Sequence, residues 1–270
     1  MNQLEHKKFN YPLAVFNSLF SAELYRDVAL RWRGYGVKYL LFLLILLWIP
    51  QTLYIKGIFD TQLAPVLPGV IEQVPLITLD KGTLSSNATQ PYTITYPDSG
   101  KPLAIIDTTG SITSLNTEDA QLLLKETEMV IKHPSGQIEK RSYEGMDNFE
   151  LTSDKLTGWY TVFKKWNPLI IYVAGVLGSF LMKIVELLLY GLSGLLVANI
   201  FKVKLPLMIT TRLAAVALTP ALLVSALLVT VFKVSALDPT LEFIAVLAYM
   251  LFAIRTCGDF AKEDSTGAEK

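Results

Sequence analysis

Residues 39–55 read YLLFLLILLWIPQTLYI and carry no charge between Lys38 and Lys56. As a helix rising 1.5 Å per residue, this run spans about 26 Å, close to the hydrocarbon thickness of a bilayer. It starts too far along the chain for a cleaved signal peptide and is not followed by the small residues of a cleavage site. The run predicts a first transmembrane helix that stays in the protein.

Three more apolar stretches follow. Residues 166–201 are interrupted only by Lys183 and Glu186. Splitting this stretch at the charges would leave halves too short for a hairpin across a bilayer, so we expect one long second span at 167–201. The remaining pieces are a basic link at 202–206, a third span at 207–232, a loop at 233–240 and a fourth span at 241–255. The pattern predicts an α-helical membrane protein with four transmembrane helices.

The flanking charges indicate an orientation. The chain has 24 basic and 24 acidic residues, but the two kinds are segregated along it. With four spans, the basic residues before the first span, around the link at 202–206 and after the fourth span fall on one side: Lys7, Lys8, Arg26, Arg31, Arg33, Lys38, Lys202, Lys204, Arg212 and Arg255. By the positive-inside rule, the terminal segments 1–38 and 256–270 are cytoplasmic. We therefore expect a multi-pass protein of the bacterial cytoplasmic (inner) membrane.

Residues 56–166 would then lie outside, in the periplasm, with ten basic and fourteen acidic residues. Short β-like runs bounded by turn residues occur at 74–79, 92–96, 102–107, 128–133 and 137–143. His133-Pro-Ser-Gly136 is a hairpin turn signal between the last two. The segment 117–126 is typical of a short helix, capped by Thr117 or Asn116. These features predict an inserted extracytoplasmic α+β domain.

The segment before the first span contains an amphipathic pattern. In residues 11–34, apolar positions alternate with arginines, and Ser21 followed by Glu23 suits a helix start. One interpretation is an interfacial helix on the cytoplasmic leaflet, with its arginines toward anionic headgroups. The other is a cytoplasmic helix packed on the spans. Both place a helix at the membrane surface.

The sequence lacks the residues that several kinds of functional site require. One Cys and two distant His exclude a disulfide scaffold, a zinc module and a histidine-based triad. No phosphate-binding loop or nucleophile elbow is present. Asp107-Thr-Thr-Gly-Ser111 is similar to the Asp-Thr-Gly of aspartic proteases, but an extra Thr breaks the spacing and no second copy exists, so a turn is favoured. We expect no cofactor, no metal and no nucleic-acid partner. An envelope enzyme would have only isolated carboxylates such as Asp80 or Asp107, so we expect no enzyme.

A polar stripe runs along the second span. Lys183 and Glu186 share a helix face, and the same face carries Tyr172, Ser179, Tyr190 and Ser193. Charges inside a bilayer are costly, so the stripe should face other helices or a wet cavity. It is either a proton or ion relay or an intrahelical pair that fixes packing. We favour packing, because among the other spans Arg212 alone offers a charge; contact between Glu186 and Arg212 is compatible with the sequence.

Small residues and a proline mark helix contacts. The third span has a small-xxx-small pattern at Ala217, Ala221 and Ser225. Pro220 cannot donate its backbone hydrogen bond, so a kink is predicted there. The second span has glycines at 175, 178, 191 and 194, which favour close packing. A proline-broken helix beside a charged stripe is also how many carriers shape a site, which leaves transport open.

Five segments resemble one family: SLFSAELYRDVALRWRG (18–34), PLITLDKGTL (75–84), PLAIIDTTG (102–110), YGLSGLLVANIFKVKLP (190–206) and RLAAVALTPALL (212–223). They are similar to the bacterial membrane proteins grouped as domain of unknown function 1189, over about Phe16 to Arg255. The resemblance implies a multi-span inner-membrane protein. It supplies no catalytic residues, and some relatives lie near sugar-utilisation genes.

Two functions remain. The first is a non-enzymatic accessory, scaffold or sensor protein that binds a partner or an envelope ligand through its external domain. The alternative is a transporter or transporter subunit that uses Lys183, Glu186, Tyr190 and Arg212. The expected partners are the lipid bilayer and either another protein or a second copy of the chain.

Overall fold

The structure, a computed structural model, describes residues 7–115, 119–146 and 148–267, with side chains described through residue 258. It divides into two compact units. The helical unit consists of the chain up to Ile55 and from Pro168 onward, and the sheet unit consists of Lys56–Asn167.

Helices account for most of the chain. The α-helices of the described residues are α1 (Tyr11–Asn17), α2 (Ala22–Arg31), α3 (Val37–Ile58), α4 (Leu67–Ile71), α5 (Ser153–Ile200), α6 (Leu207–Thr230) and α7 (Pro239–Gly267). A π-helical turn, Phe59–Leu63, follows α3.

Four helical stretches in the described residues are long enough and apolar enough to cross a membrane: Val37–Leu63, Ser153–Ile200, Leu207–Thr230 and Pro239–Gly258. They indicate a membrane protein. The second is one uninterrupted helix and not a hairpin, and it begins at Ser153, well before residue 167.

The basic link between α5 and α6 is built from two local signals. Lys202 adopts a left-handed conformation, with a φ of 57°. Its N–H donates to the Asn199 carbonyl at 3.0 Å, and the N–H of Val203 donates to the Ala198 carbonyl at 2.9 Å. This is the Schellman arrangement that ends a helix. Pro206 is extended and serves as the N-cap of α6, so the turn between the helices is short.

Helix α6 is the centre of the helical unit. Its residues from Thr210 to Leu222 are all buried, which makes it the most enclosed of the four long helices. Helix α2 packs against α6 and α7, and the ring of Tyr25 meets that of Phe252 edge-on at 5.6 Å. These contacts are those of the packed-helix interpretation of the N-terminal segment.

Asp27 holds the N-terminal segment on α2. Its carboxylate is fully buried and accepts the backbone N–H groups of Lys8 and Phe9 at 3.0 and 3.2 Å. It also accepts the Trp32 indole N–H at 3.0 Å and an Arg31 guanidinium N–H at 3.2 Å. Because a buried charge is costly unless it is hydrogen-bonded, these donors account for an acid at this position.

The sheet unit contains two sheets. The strands are β1 (Ile77–Asp80), β2 (Thr83–Ser86), β3 (Tyr92–Thr95), β4 (Pro102–Ile106), β5 (Leu122–Leu124), β6 (Glu128–Lys132), β7 (Ile138–Ser142) and β8 (Phe149–Leu151). One sheet has the order β2-β1-β8 and the other β3-β4-β5-β6-β7. Strands β4 and β5 are parallel, and the other pairs are antiparallel.

All five predicted β-like runs contain strands, and the turn at His133–Gly136 joins β6 to β7 as an antiparallel hairpin. The predicted helix at 117–126 is wrong where the structure describes it, because Leu122–Leu124 form β5. Its proposed caps, Asn116 and Thr117, lie outside the described residues. The leucines pair with β4 and β6, and Leu123 is fully buried. Tertiary pairing therefore overrides the helical preference of leucine.

The five-stranded sheet has an apolar core on each face. On one face Ile94, Ala104 and Ile106 cluster with Ile77 and Leu79 of the three-stranded sheet. On the other face, Ile105, Leu123 and Val130 cluster with Leu115 and Ala120. This alternation follows from the two-residue period of a strand.

The glycines of α5 differ in their surroundings. A Cβ added at Gly175 would lie 2.3 Å from the Trp48 ring, at Gly191 2.9 Å from the Thr211 hydroxyl, and at Gly194 2.3 Å from the Met250 methyl. At Gly178 nothing lies within 4 Å. Three of the four glycines therefore permit close helix contact, whereas the expectation is wrong for Gly178.

Candidate functional site

Three charged side chains from two helices meet in the helical unit. The Nζ of Lys183 lies 2.6 Å from Oε2 of Glu186, one turn further along α5. The same Nζ lies 2.5 Å from Oε1 of Glu242, in the first turn of α7. We call these three residues the charged cluster. The lysine ammonium has three N–H donors, so it can serve both carboxylates at once.

The members of the charged cluster differ in exposure. The side chains of Lys183 and Glu242 are 16% and 12% exposed, whereas that of Glu186 is 35% exposed. The Lys183–Glu242 pair is thus the enclosed part of the cluster. Glu186 lies at its edge, beside the exposed apolar side chains of Val185 and Leu189.

Helix packing brings Glu242 to the middle of α5. Tyr190 of α5 stacks on Phe243 of α7, with ring centroids 5.7 Å apart. Further along both helices, Gly194 lies against Met250. Since the contacts advance in the same direction along the two helices, α5 and α7 run parallel. The first turn of α7 therefore lies beside the part of α5 that carries Lys183.

The charged cluster has one ammonium and two carboxylates, so its ionised form has one more negative than positive charge. Glu242 gains from its place in the first turn of α7, because the positive end of a helix dipole stabilises an anion. Within a membrane the remaining charge would be costly, unless a cation or a proton offset it. The arrangement can hold the two helices together.

Glu242 is not among the site residues predicted from the sequence. The expectation that Arg212 alone offers a charge on the other spans is wrong, because Glu242 lies in α7 and pairs with Lys183. A signal was present: Glu242 is an acidic residue just inside the predicted fourth span, which is otherwise apolar up to Arg255. An ionisable residue in such a position is a site candidate by itself.

Other residues of the polar stripe contact α3 and not the charged cluster. The hydroxyl of Ser179 accepts a hydrogen bond from the Trp48 indole N–H at 3.0 Å. The hydroxyl of Tyr172 donates to the Ile45 carbonyl of α3 at 3.0 Å. These bonds join α5 to α3, so Ser179 lies apart from the charged cluster. Tyr190 is buried and contributes its ring to the contact with Phe243.

Arg212 and Pro220 lie on α6. The guanidinium of Arg212 is buried, and its Nε donates to the Met208 carbonyl at 3.4 Å. Contact between Glu186 and Arg212 is not formed, since Glu186 pairs with Lys183. Pro220 is buried within α6, which continues through it. Beside it, the hydroxyls of Thr219 and Tyr39 are 2.8 Å apart, a link between α6 and α3.

The sheet unit has a groove of about 490 Å³ on the five-stranded sheet. Its floor is a cross-strand row in which Ile94, Ala104, Leu122 and Ile131 are successive partners from β3 to β6. Polar side chains line it as well, from Gln121, Lys132 and His133. An apolar floor with a few polar groups is the usual character of a binding groove.

Next to the groove, Glu139 accepts hydrogen bonds from Arg141 Nε at 2.6 Å and from His133 Nε2 at 3.0 Å. These bonds, with that from Arg141 the larger cause, hold the pKa of the Glu139 carboxyl below its ordinary value. The carboxylate therefore stays ionised at neutral pH, and its charge is matched locally.

Asp107 is committed to its own turn. Its side chain is buried and accepts hydrogen bonds from the Thr109 hydroxyl and the Ile112 N–H, each at 2.5 Å, and from the Thr109 N–H at 3.0 Å. Burial opposes its ionisation, but these hydrogen bonds outweigh burial and lower the pKa of the carboxyl. Residues 108–110 form a bend after β4, and the next strand, β5, runs parallel to β4, so this bend does not close a strand pair. The Asp80 carboxylate accepts a hydrogen bond from the side-chain amide of Asn148 at 2.9 Å. Among the described residues, no three His, Cys, Asp or Glu side chains form a metal-ligating group.

Comparison with known proteins bears on the whole chain. The family model described as protein of unknown function (DUF1189) matches residues 14–254. No curated protein and no solved structure matches the chain. The matched range includes α2, the sheet unit, the charged cluster and Arg212, which agrees with the resemblance found in the sequence. Because the match covers most of its length, the chain belongs to the DUF1189 family.

Proposed function

We propose that this protein is a multi-pass component of the bacterial cytoplasmic membrane, with both termini in the cytoplasm and the sheet unit outside. Contacts within the helical unit support this orientation. The Arg255 guanidinium lies 5.0 Å from the Phe201 ring, and Gly36 packs on Arg212. The helix ends flanked by Lys38, Lys202 and Arg255 therefore gather at one side of the unit, as the positive-inside rule requires.

Its main role in this proposal is to bind. We propose a non-enzymatic accessory, scaffold or sensor protein whose sheet unit captures a partner protein or an envelope ligand. The observation that carries the proposal is the groove on the five-stranded sheet. Leu122 and Ile131 remain half-buried on its floor, although the cores of the sheet unit enclose their neighbours Leu123 and Val130. Covering this apolar floor would stabilise a complex.

Site-specific crosslinking tests this role. A photoreactive residue at Gln121, which lines the groove and is exposed, should capture a partner in intact cells. The matched control is Thr83, exposed on β2 and outside the groove. Co-purification in mild detergent should recover the same partner. Equal capture from both positions, or a clean monomer or homo-oligomer, would contradict the proposal.

A second candidate is a transporter or transporter subunit, with sugar utilisation as one context. The observation that favours it is the ion pair between Lys183 and Glu242, because a translocation site needs charges from more than one span. The charged cluster would exchange a proton or another small cation. Arg212 is not in contact with it, so Lys183, Glu186 and Glu242 carry this proposal, and Tyr190 supports it by packing.

Reconstituted vesicles test transport. Under an imposed pH gradient, the wild type should move protons, as detected by an internal pH-sensitive dye. Glu242→Gln should lower that rate at least roughly tenfold at equal protein content, since a 1.4 kcal/mol change in a barrier has that effect. Asp238→Asn, which changes an exposed loop carboxylate, is the control. Absent flux, or flux equal in both variants, would rule transport out.

A further inference from the structure

Arg212 is a buried cation that has no counter-charge among the residues whose side chains the structure describes. Arg212 as a whole residue is 4% exposed. Within the described residues it forms no salt bridge, and its one hydrogen bond is the 3.4 Å contact from Nε to the Met208 carbonyl. A guanidinium has five N–H donors, so most of its capacity is unused. Burying a charge in this way is costly unless an anion pairs with it.

The start of α3 lies directly against this residue. Gly36, which precedes α3, has a φ of +80°, and a Cβ there would lie 2.7 Å from Ala215 Cβ and 3.1 Å from the Arg212 Cα. A side chain at residue 36 would therefore push the start of α3 away from α6. Glycine permits both the left-handed conformation and the close approach.

Helices α3 and α6 point in the same direction. Gly36 meets Arg212, and further along both helices the Tyr39 hydroxyl meets that of Thr219 at 2.8 Å. The N-terminus of α3 therefore faces the end of the unit where α6 begins. The Arg212 side chain extends toward that same end, because its Nε bonds to Met208, one turn earlier on α6.

Among the described residues, several hydrogen-bond donors without an acceptor lie near the N-terminus of α3. In the described part of the chain, the backbone N–H groups of Val37, Lys38 and Tyr39 have no acceptor. The positive end of the α3 dipole and the Arg212 guanidinium repel each other, and the exposed Lys38 adds a further positive charge. An anion between them would offset the repulsion and accept the free N–H groups.

The geometry points to a phosphate-binding site formed by Arg212 and the N-terminus of α3. Phosphate suits these donors because the planar guanidinium can bind two of its oxygens, while helix N-terminal amides bind another. Arg212 is the sixth residue of α6, which places it about 8 Å from the start of the helix. In a membrane-spanning helix this is near the headgroup level, so the phosphate belongs either to an anionic phospholipid or to a soluble phosphate compound.

Purified, delipidated full-length protein in a neutral detergent separates the two sources. Its thermal unfolding is measured with added phosphatidylglycerol, with inorganic phosphate, and with neither. An increase in unfolding temperature with the lipid alone identifies a headgroup site. An increase with inorganic phosphate identifies a soluble phosphate site. If neither raises it, the proposal fails.

Substitutions test whether phosphate binding depends on Arg212. Arg212→Gln should weaken phosphate binding roughly tenfold to a hundredfold, the loss expected for hydrogen bonds to a charged group. Lys204→Gln, which removes an exposed basic residue at the same end of α6, should leave binding unchanged. An equal loss in both variants would indicate general attraction to anions and overturn the proposal.

Arg212→Lys keeps the charge but removes the planar fork, and it serves if Arg212→Gln does not fold. It should bind phosphate more weakly than the wild type and remain folded. If its binding equals that of the wild type, Arg212 is not the phosphate ligand. Native mass spectrometry of the wild type supplies an independent readout, since a retained phospholipid or phosphate adds its own mass.

Discussion

The Nζ of Lys183 on α5 lies 2.5 Å from Oε1 of Glu242 on α7, although the two residues are 59 positions apart. Lys183 also pairs with Glu186 on its own helix. The lysine therefore does not belong to an isolated intrahelical pair. It joins two helices, and its removal would leave two carboxylates facing each other.

Lys183→Met should destabilise the helical unit strongly, by about 3 to 5 kcal/mol, because it strands two partly buried carboxylates. Replacing Lys183 and Glu186 together would still strand Glu242. The triple variant Lys183→Leu, Glu186→Met, Glu242→Leu removes every charge and should recover the wild-type unfolding temperature or exceed it. Detergent-solubilised thermal unfolding and cellular abundance measure this. A triple variant as unstable as Lys183→Met would show that the cluster is not a self-contained ionic contact.

Gly175→Ala should loosen the contact between α3 and α5. The new Cβ would lie 2.3 Å from the Trp48 ring, and overpacking of this kind costs about 1 to 3 kcal/mol. Gly178→Ala is the matched control, because nothing lies within 4 Å of its added Cβ. Alanine is the better helix former, so the control should be neutral or up to about 1 kcal/mol more stable. Equal unfolding temperatures for the two variants would contradict the observed packing.

Asp107→Asn should destabilise the sheet unit by roughly 2 kcal/mol at neutral pH, since hydrogen bonds to a charged group are lost. The pKa of Asp107 is lowered in the fold, so its contribution is complete above the unfolded carboxyl pKa of about 3.9 and disappears as the pH falls through the folded value. The wild type and the variant should therefore converge in acid. Asp98→Asn, at an exposed turn, is the control for chemical denaturation measured across pH. A difference that is constant with pH would exclude this origin.

Cys257 tests the orientation, as the single cysteine of the chain. Its place near the end of α7 puts it at the end of the helical unit that carries Arg255. A membrane-impermeant thiol reagent should miss it in intact cells and label it after permeabilisation. Labelling of intact cells would place the termini outside and reverse the proposed topology. A second cysteine introduced at Thr83 should label in intact cells and confirms that the reagent reached the outer surface.

Much of the helical unit follows from local sequence. The uncharged run at 39–55 and the stretch at 166–201 predict long helices because apolar composition over such lengths suits a bilayer. The runs at 92–96 and 128–133 likewise predict strands, since apolar alternation and the flanking turn residues are local features of the sequence. The same local reasoning fails at Leu122–Leu124, where leucines form β5. Their neighbours β4 and β6 decide the conformation, and no window of sequence contains that contact.

The residues of the candidate site also differ in how far local sequence predicts their contacts. The helical period places Lys183 and Glu186 on one face of α5, because residues three apart lie together. The apolar segments and the basic residues that flank them can also be read from local sequence. Three contacts instead depend on how the helices pack: Glu242 completes the cluster, Ser179 pairs with Trp48, and Arg212 lies beneath the start of α3. Side-chain pairing between helices depends on their direction and axial offset, and these are set by packing and not by any single segment.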